Sequence, residues 1–286
     1  MSREELRLLT VHAHADDESI TMGGSLALLH DQGVRTALIT CTDGQLATIF
    51  DPDMEEEATR PILGEVRRAE MARAAEILGL DEFHFLGYRD SGMAGADSND
   101  DAEAFWHVDI DAAVGRVVER IRAFRPQVVV TYNANGGYGH PDHIQAHRIT
   151  LLAVAAAAEA ALYPSTGSAW QVSKLYYTAF AASAARRFAQ AMAAAGTDGA
   201  EGDQRAEEIP YATPDEEITA WVDCTAVIAR KRAALQAHRS QIPPDWPLLA
   251  LPEDRVRELF GTETFQRVFS RVRTPDRETD LFAGLR

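Results

Sequence analysis

Two short stretches of this chain concentrate groups that bind metals and move protons: "HAHADDES" at 12–19 and "YGHPDH" at 138–143. His14 and Asp17 are three residues apart, so where a strand gives way to a turn or helix they share a face while Asp16 points elsewhere. One aspartate can therefore ligate an ion while its neighbour faces the space beside it. His140 and His143 are also three apart, and Pro141 between them suits the first turn of a helix. A His/Asp pair from one loop and a histidine from another give three protein ligands and an open place for water, the form of a catalytic zinc site. Such an ion acidifies water and polarises a carbonyl. A nearby carboxylate can take the water's proton, and a cation or phenol can steady the oxyanion that forms. Asp16, Asp17, two histidines and Tyr138 cover these roles.

Other polar residues have plainer readings. His12 faces away from His14 on a strand and reads as a core residue or one that supports a ligand. His147, four residues after His143, reads as a supporting or structural group, and His84 and His107 as structural or solvated. Glu18 suits the first turn of a helix, where it satisfies N–H groups. Asp142 either orients a ligating histidine or caps a helix. No G-x-G-x-x-G follows the first apolar run, so no dinucleotide site is expected.

The elements that position these groups alternate. Apolar runs at 6–11, 35–44, 82–87, 126–133 and 174–180 read as strands, and helical periodicity appears at 22–32, 64–80, 110–124 and 142–161. The almost uniformly apolar "PQVVVTYN" fits a strand covered on both faces. The pattern predicts an α/β fold: a Rossmann-like, doubly wound, mainly parallel sheet with helices on both faces and a smaller C-terminal lobe. Residues 1–180 form the catalytic part with both motifs; 181–286 pack on it as a lobe of the same structural unit, with a flexible loop at about 194–208. In that lobe "EEITAWVDC" suggests a strand and 226–242 a helix. Ligands gather at the carboxyl ends of strands in such sheets. "HAHADDES", "TDGQ", "GYRDSGMAG" and "YNANGGYGHPDH" each follow a predicted strand, which places all four on one edge.

Composition excludes several classes. Against 44 acidic side chains stand only 28 basic ones, a net charge of −16, so neither nucleic acid nor an anionic membrane is an expected partner. Cys41 and Cys224 form no metal or disulfide pattern. The start of the chain has no long apolar stretch, and the run from Leu151 to Leu162 is interrupted by Glu159. The expected location is the cytoplasm, with a small molecule as partner and no obligate protein partner.

"AHADDE" and "GHPDH" resemble the paired signatures of the LmbE-like, or PIG-L, family of zinc-dependent N-acetylglucosaminyl deacetylases. "YRDSGMAG" and "NGGYGHPDH" are similar to the branch that removes acetate from a glucosaminyl inositol during mycothiol biosynthesis. The resemblance implies one Zn2+ held by His14, Asp17 and His143; a set of two histidines and one carboxylate also suits Fe2+. The resemblance implies Asp16 as general base, His140 as the group that stabilises the oxyanion, and Tyr138 as a mobile tyrosine that polarises the carbonyl. Either Asp16 or His140 then protonates the departing amine. Arg67, Asp90, Thr21 and Met93 match positions that face the sugar or inositol; from the residues alone, Arg67 reads as an exposed helix arginine and Asp90 as a turn former. Where the family usually has proline this chain has Ala15, which predicts a looser loop with the reaction retained. Related readings are a mycothiol S-conjugate amidase, a deacetylase of another aminosugar, or a non-catalytic sugar-binding relative.

Overall fold

A computed structural model describes residues 5–194 and 211–286. The expected flexible loop at about 194–208 therefore falls, apart from Ala194, outside the described residues.

Five strands, β1 (Arg7–His12), β2 (Arg35–Thr42), β3 (Glu82–Tyr88), β4 (Val128–Thr131) and β5 (Lys174–Ala179), run parallel in the order β3-β2-β1-β4-β5. Two more come from the last third of the chain. β6 (Ala220–Asp223) and β7 (Thr262–Ser270) extend the same sheet, with β7 antiparallel to both β5 and β6 and seated between them. Because β1 to β4 are parallel, the four polar stretches that follow them do leave from one edge. The strand order reverses between β1 and β4, and the two motifs follow those two strands, so they meet at the switch point of the sheet.

Both faces are covered. Alternate residues of β1 send Leu8 to one core and Leu9 and Val11 to the other. The first core includes Met22 and Leu26 of α1 (Asp17–Asp31), Met71 and Leu78 of α3 (Leu63–Leu78), and Phe265 of β7. Helix α8 (Ile228–Ala237) packs against α1 and α3 on this side. The second core joins Val114, Val118 and Ile121 of α4 (Ile110–Phe124) to Ile149 of α6 (Pro141–Ala157). One-turn helices α2 (Glu56–Thr59) and α5 (Gly136–Gly139) interrupt the loops after β2 and β4. Two further helices, α9 (Pro247–Ala250) and α10 (Glu253–Phe260), precede β7, and α7 (Ala182–Ala194) follows β5.

The first helix begins at Asp17 rather than at the expected Met22, so the aspartate of the motif lies in its first turn. The helix is broken at Met22 (φ −148°, ψ 20°). Backbone N–H groups just after the break need acceptors. Glu263 on β7 provides them: Gly24 N donates to Oε1 at 2.8 Å and Ser25 N to Oε2 at 2.6 Å. Lys231 of α8 balances this buried carboxylate at 2.6 Å. Glu263→Ala leaves a buried ammonium and two N–H groups without partners and should lower unfolding free energy by about 3–5 kcal/mol. The exposed Arg255–Glu258 pair, cut by Arg255→Ala, should cost under about 1 kcal/mol. Denaturant unfolding midpoints of the two variants measure the contrast.

Candidate metal and catalytic site

The site forms where β1, β4 and the starts of α1 and α6 converge. Three ligand atoms face one another: His14 Nδ1 lies 3.2 Å from His143 Nε2, and Asp17 Oδ2 lies 3.6 and 3.5 Å from them. Metal bonds of about 2.0–2.2 Å at tetrahedral angles put ligand atoms about 3.3–3.6 Å apart. The spacing therefore fits one small cation. The tautomers fit too. His14 Nε2–H donates to Asp142 Oδ2 at 3.3 Å, and His143 Nδ1–H donates to the Gly136 carbonyl at 3.1 Å. With protons on the far nitrogens, two lone pairs aim at the same point, an arrangement that a cation between them stabilises.

Asp17 accepts two hydrogen bonds on one oxygen. Its Oδ2 accepts the His14 backbone N–H at 2.9 Å and the Tyr132 hydroxyl at 2.6 Å, and Tyr132 Oη itself accepts the Ala13 N–H at 2.8 Å. Burial alone would raise the Asp17 pKa; the charges of His143 and His14 and a bond from His14 overcome it and hold the carboxyl well below its ordinary value. Burial likewise opposes charge on His14, yet Asp142 and Asp17 raise its pKa well above the usual value. The site thus favours positive charge at His14, while burial pushes the His143 pKa down to about 4. Asp142 is fixed in turn by the Ser91 hydroxyl and by the Ser91 N–H at 3.0 Å. The orienting role weighed for Asp142 is the one its contacts describe, and the histidine it orients is His14.

Asp16 faces away from Asp17 because its backbone adopts φ 125°, ψ −29°. A non-glycine residue in so sparse a region carries a strain of about 1–3 kcal/mol and persists only where its surroundings over-determine it. Burial, with the negative charge of Asp17 added, pushes the Asp16 pKa up to about 6, against the pull of Arg67. Arg67 is not an exposed helix arginine: its side chain is 2% accessible. It donates to Asp16 Oδ2 at 3.2 Å, to the Ala15 carbonyl at 2.7 Å and to the Gly44 carbonyl at 2.9 Å. Ala15 is wholly buried, and these contacts tether the loop that a proline would stiffen.

His140 caps α6 by accepting the Asp142 N–H on Nδ1 at 3.1 Å, which leaves Nε2 as a donor. Burial and the neighbouring histidines push its pKa down to about 3, so the ring is neutral. Tyr138 is half exposed, and its hydroxyl lies 3.5 Å from His143 Nε2. It sits in a turn whose glycines have positive φ; at Gly136 (φ 62°) a Cβ would meet His143 Cβ at 2.6 Å. Asp90 forms the expected turn by accepting the Gly92 N–H at 2.8 Å, and its Oδ1 also lies 3.9 Å from His14 Nε2. Thr21 donates to the Asp17 carbonyl at 2.7 Å, and Met93 is 53% exposed.

His12 is in the core, bonded to Thr10 Oγ1 at 2.7 Å. His147 supports the site indirectly through the Tyr132 carbonyl at 2.9 Å. His84 and His107 pair with Glu82 and the Asn99 carbonyl, outside the cluster. Sequence reasoning missed Tyr132 and Ser91. A tyrosine that ends an apolar strand run was the available signal for Tyr132; for Ser91 there was none.

The chain belongs to the PIG-L family, whose model, GlcNAc-PI de-N-acetylase, matches residues 9–154. It is 44% identical to a Geodermatophilus obscurus protein named 1D-myo-inositol 2-acetamido-2-deoxy-alpha-D-glucopyranoside deacetylase, with 98% of each chain covered. A protein of the same name from Acidothermus cellulolyticus is 43% identical over 97% of this chain and 94% of its own. Among solved structures, N,N'-diacetylchitobiose deacetylase from Pyrococcus horikoshii shares the fold (TM-score 0.64, 20% identity, 93% and 84% covered). So does a 4-carboxy-2-hydroxymuconate hydratase from Pseudomonas putida (TM-score 0.61, 21% identity, 94% and 99% covered). This chain is a deacetylase with a His/Asp cluster fit for a metal ion.

Tyr132→Phe removes the hydroxyl that bridges Ala13 and Asp17. Metal affinity should fall about 10–100-fold, measured by competition with a chromogenic chelator.

Proposed function

We propose that this chain hydrolyses the acetamido group of N-acetylglucosaminyl inositol, giving glucosaminyl inositol and acetate, as the zinc-dependent deacetylase of mycothiol biosynthesis, acting in the cytoplasm. The observation that carries the chemistry is the meeting of two histidine lone pairs and one carboxylate oxygen beside a second carboxylate of near-neutral pKa. The names of relatives 43–44% identical over nearly the whole chain support the substrate. No helix among the described residues is long and apolar enough to cross a membrane, in keeping with a water-borne sugar substrate.

His14, Asp17 and His143 would hold the ion, and two nitrogens with one carboxylate suit zinc, with ferrous iron the other candidate. When bound, the ion supplies Lewis-acid chemistry, polarising a carbonyl and acidifying water. Asp16 accepts the proton of the attacking water. A carboxylate with a pKa near 6 suits this step better than one at the ordinary value, because its affinity for the proton is closer to what neutral pH demands. His140 donates Nε2–H to the oxygen on which negative charge develops, and the Tyr138 hydroxyl offers a second donor. Asp16 then returns its proton to the departing nitrogen. His140 is the weaker acid of the two, since a neutral imidazole parts reluctantly with its remaining proton. Asp90 and Met93 line the loop that would face the sugar, while Arg67 acts on the base by holding its carboxylate.

Metal-free and zinc-reconstituted protein, incubated with N-acetylglucosaminyl inositol, should differ in release of primary amine and acetate. Free N-acetylglucosamine and a mycothiol S-conjugate serve as competing substrates; faster turnover of either would displace the proposed one. Asp16→Ala should keep the metal and lose about 10²–10⁴-fold in kcat, whereas His14→Ala should lose the metal. Equal metal loss in both would overturn this division of labour. The base works only unprotonated, so kcat/KM should drop as pH falls through about 6. An acidic limb near pH 4 would contradict the shift.

A further inference from the structure

We infer that His238 is a positioning residue for the reaction: through the carboxylate of Glu18 it fixes the backbone of Asp16 in the conformation that turns this side chain away from Asp17. The inference rests on the reading of Asp16 as the base. His238 caps the C-terminal end of α8, outside the 9–154 stretch that matches the family model. Its ring is wholly buried, and Nε2 meets Glu18 Oε1 at 2.9 Å. Nδ1 has no hydrogen-bond partner among the described residues, so Glu18 is the ring's one such contact. Glu18 is also wholly buried; its Oε2 accepts the Asp16 N–H at 3.0 Å, and Ser19 Oγ donates to Oε1 at 2.6 Å. A buried carboxylate needs a cationic or strongly donating partner to stay ionised and in place. Ser19 is neutral and adjacent in the chain; His238 anchors the carboxylate to a different element.

The same segment holds the carboxylate side of Asp16 as well. Two residues after His238, Ser240 donates its N–H and hydroxyl to Glu70, each at 2.7 Å. Glu70 lies one helical turn beyond Arg67 on α3, and Arg67 binds both Asp16 Oδ2 and the Ala15 carbonyl. The Ser240 carbonyl accepts the Phe50 N–H at 2.8 Å, joining the loop after β2. "AHRS" therefore gathers the groups that surround the base from three elements, and the positive φ of Asp16 is the strained feature that this gathering over-determines.

His238→Ala should lower kcat about 10–100-fold, the range a small misplacement of a reacting group produces, with KM and metal content unchanged. His238→Gln retains a donor that can reach Glu18 and should recover most of the loss. In an Asp16→Asn background, His238→Ala should have no further effect on kcat, because residues acting through one another are not additive. Losses that multiply, or a lowered melting temperature with kcat intact, overturn the inference. If the alanine variant does not fold, Glu18→Gln, close in volume, carries the same cycle with the same two outcomes. Asp16→Asn with wild-type turnover would instead sink the reading of Asp16 as base, a result distinct from failure at His238 alone.

Discussion

One carboxylate oxygen, Oδ2 of Asp17, is the atom about which the site is arranged. The backbone N–H and imidazole of His14 just after β1, the phenol of Tyr132 just after β4 and the imidazole of His143 on α6 all converge on it. Burying that charge is unfavourable unless it is surrounded by donors and cations. Meeting this requirement brings β1 and β4 together at their carboxyl ends and leaves two histidine lone pairs directed at a common point. The partners of Asp17 have partners of their own: Asp142 and Ser91 behind His14, the Gly136 carbonyl behind His143. The depth of this arrangement, rather than the number of acids, separates it from a solvated cluster of like charge.

The two adjacent aspartates show how one backbone angle divides labour. Asp17 enters a helix and is held ionised among histidines; Asp16, at φ 125°, lies against Arg67 with its proton affinity raised by burial. Two acids one residue apart acquire opposite proton affinities without any difference in side-chain chemistry. The fold alone does not fix a reaction, because a hydratase shares it.

Much of this was legible in the sequence because it is local. Strand ends are marked by where apolar runs stop, and the parallel sheet follows from alternation, so the meeting of a His/Asp pair with a histidine of the second motif could be anticipated from spacing, while the choice of His143 came from the family resemblance. What resisted reading depends on distant partners. Nothing in "GEVRRAEM" says that Arg67 will be covered, since its burial comes from the carbonyls of Ala15 and Gly44. The break at Met22 is tolerable only because Glu263 arrives from β7. Likewise the pattern of "TETFQRVFS" tells nothing of its insertion between β5 and β6, because pairing register is a property of neighbours that lie far away in the chain.

That insertion governs the order in which a growing chain can assemble. Among the strands of the described residues β6 pairs with β7, and β7 is synthesised after it. As the polypeptide leaves the ribosome, β1 to β5 can pair while β6 waits without a seat on the sheet, and the side of β5 that will receive β7 stays open until Ser270 has emerged. Glu263, which caps the second half of α1, travels on that last strand. The helix that opens at Asp17 therefore gains the acceptors for its second half only once β7 has been made, so maturation of the site waits on a strand far from it in the chain.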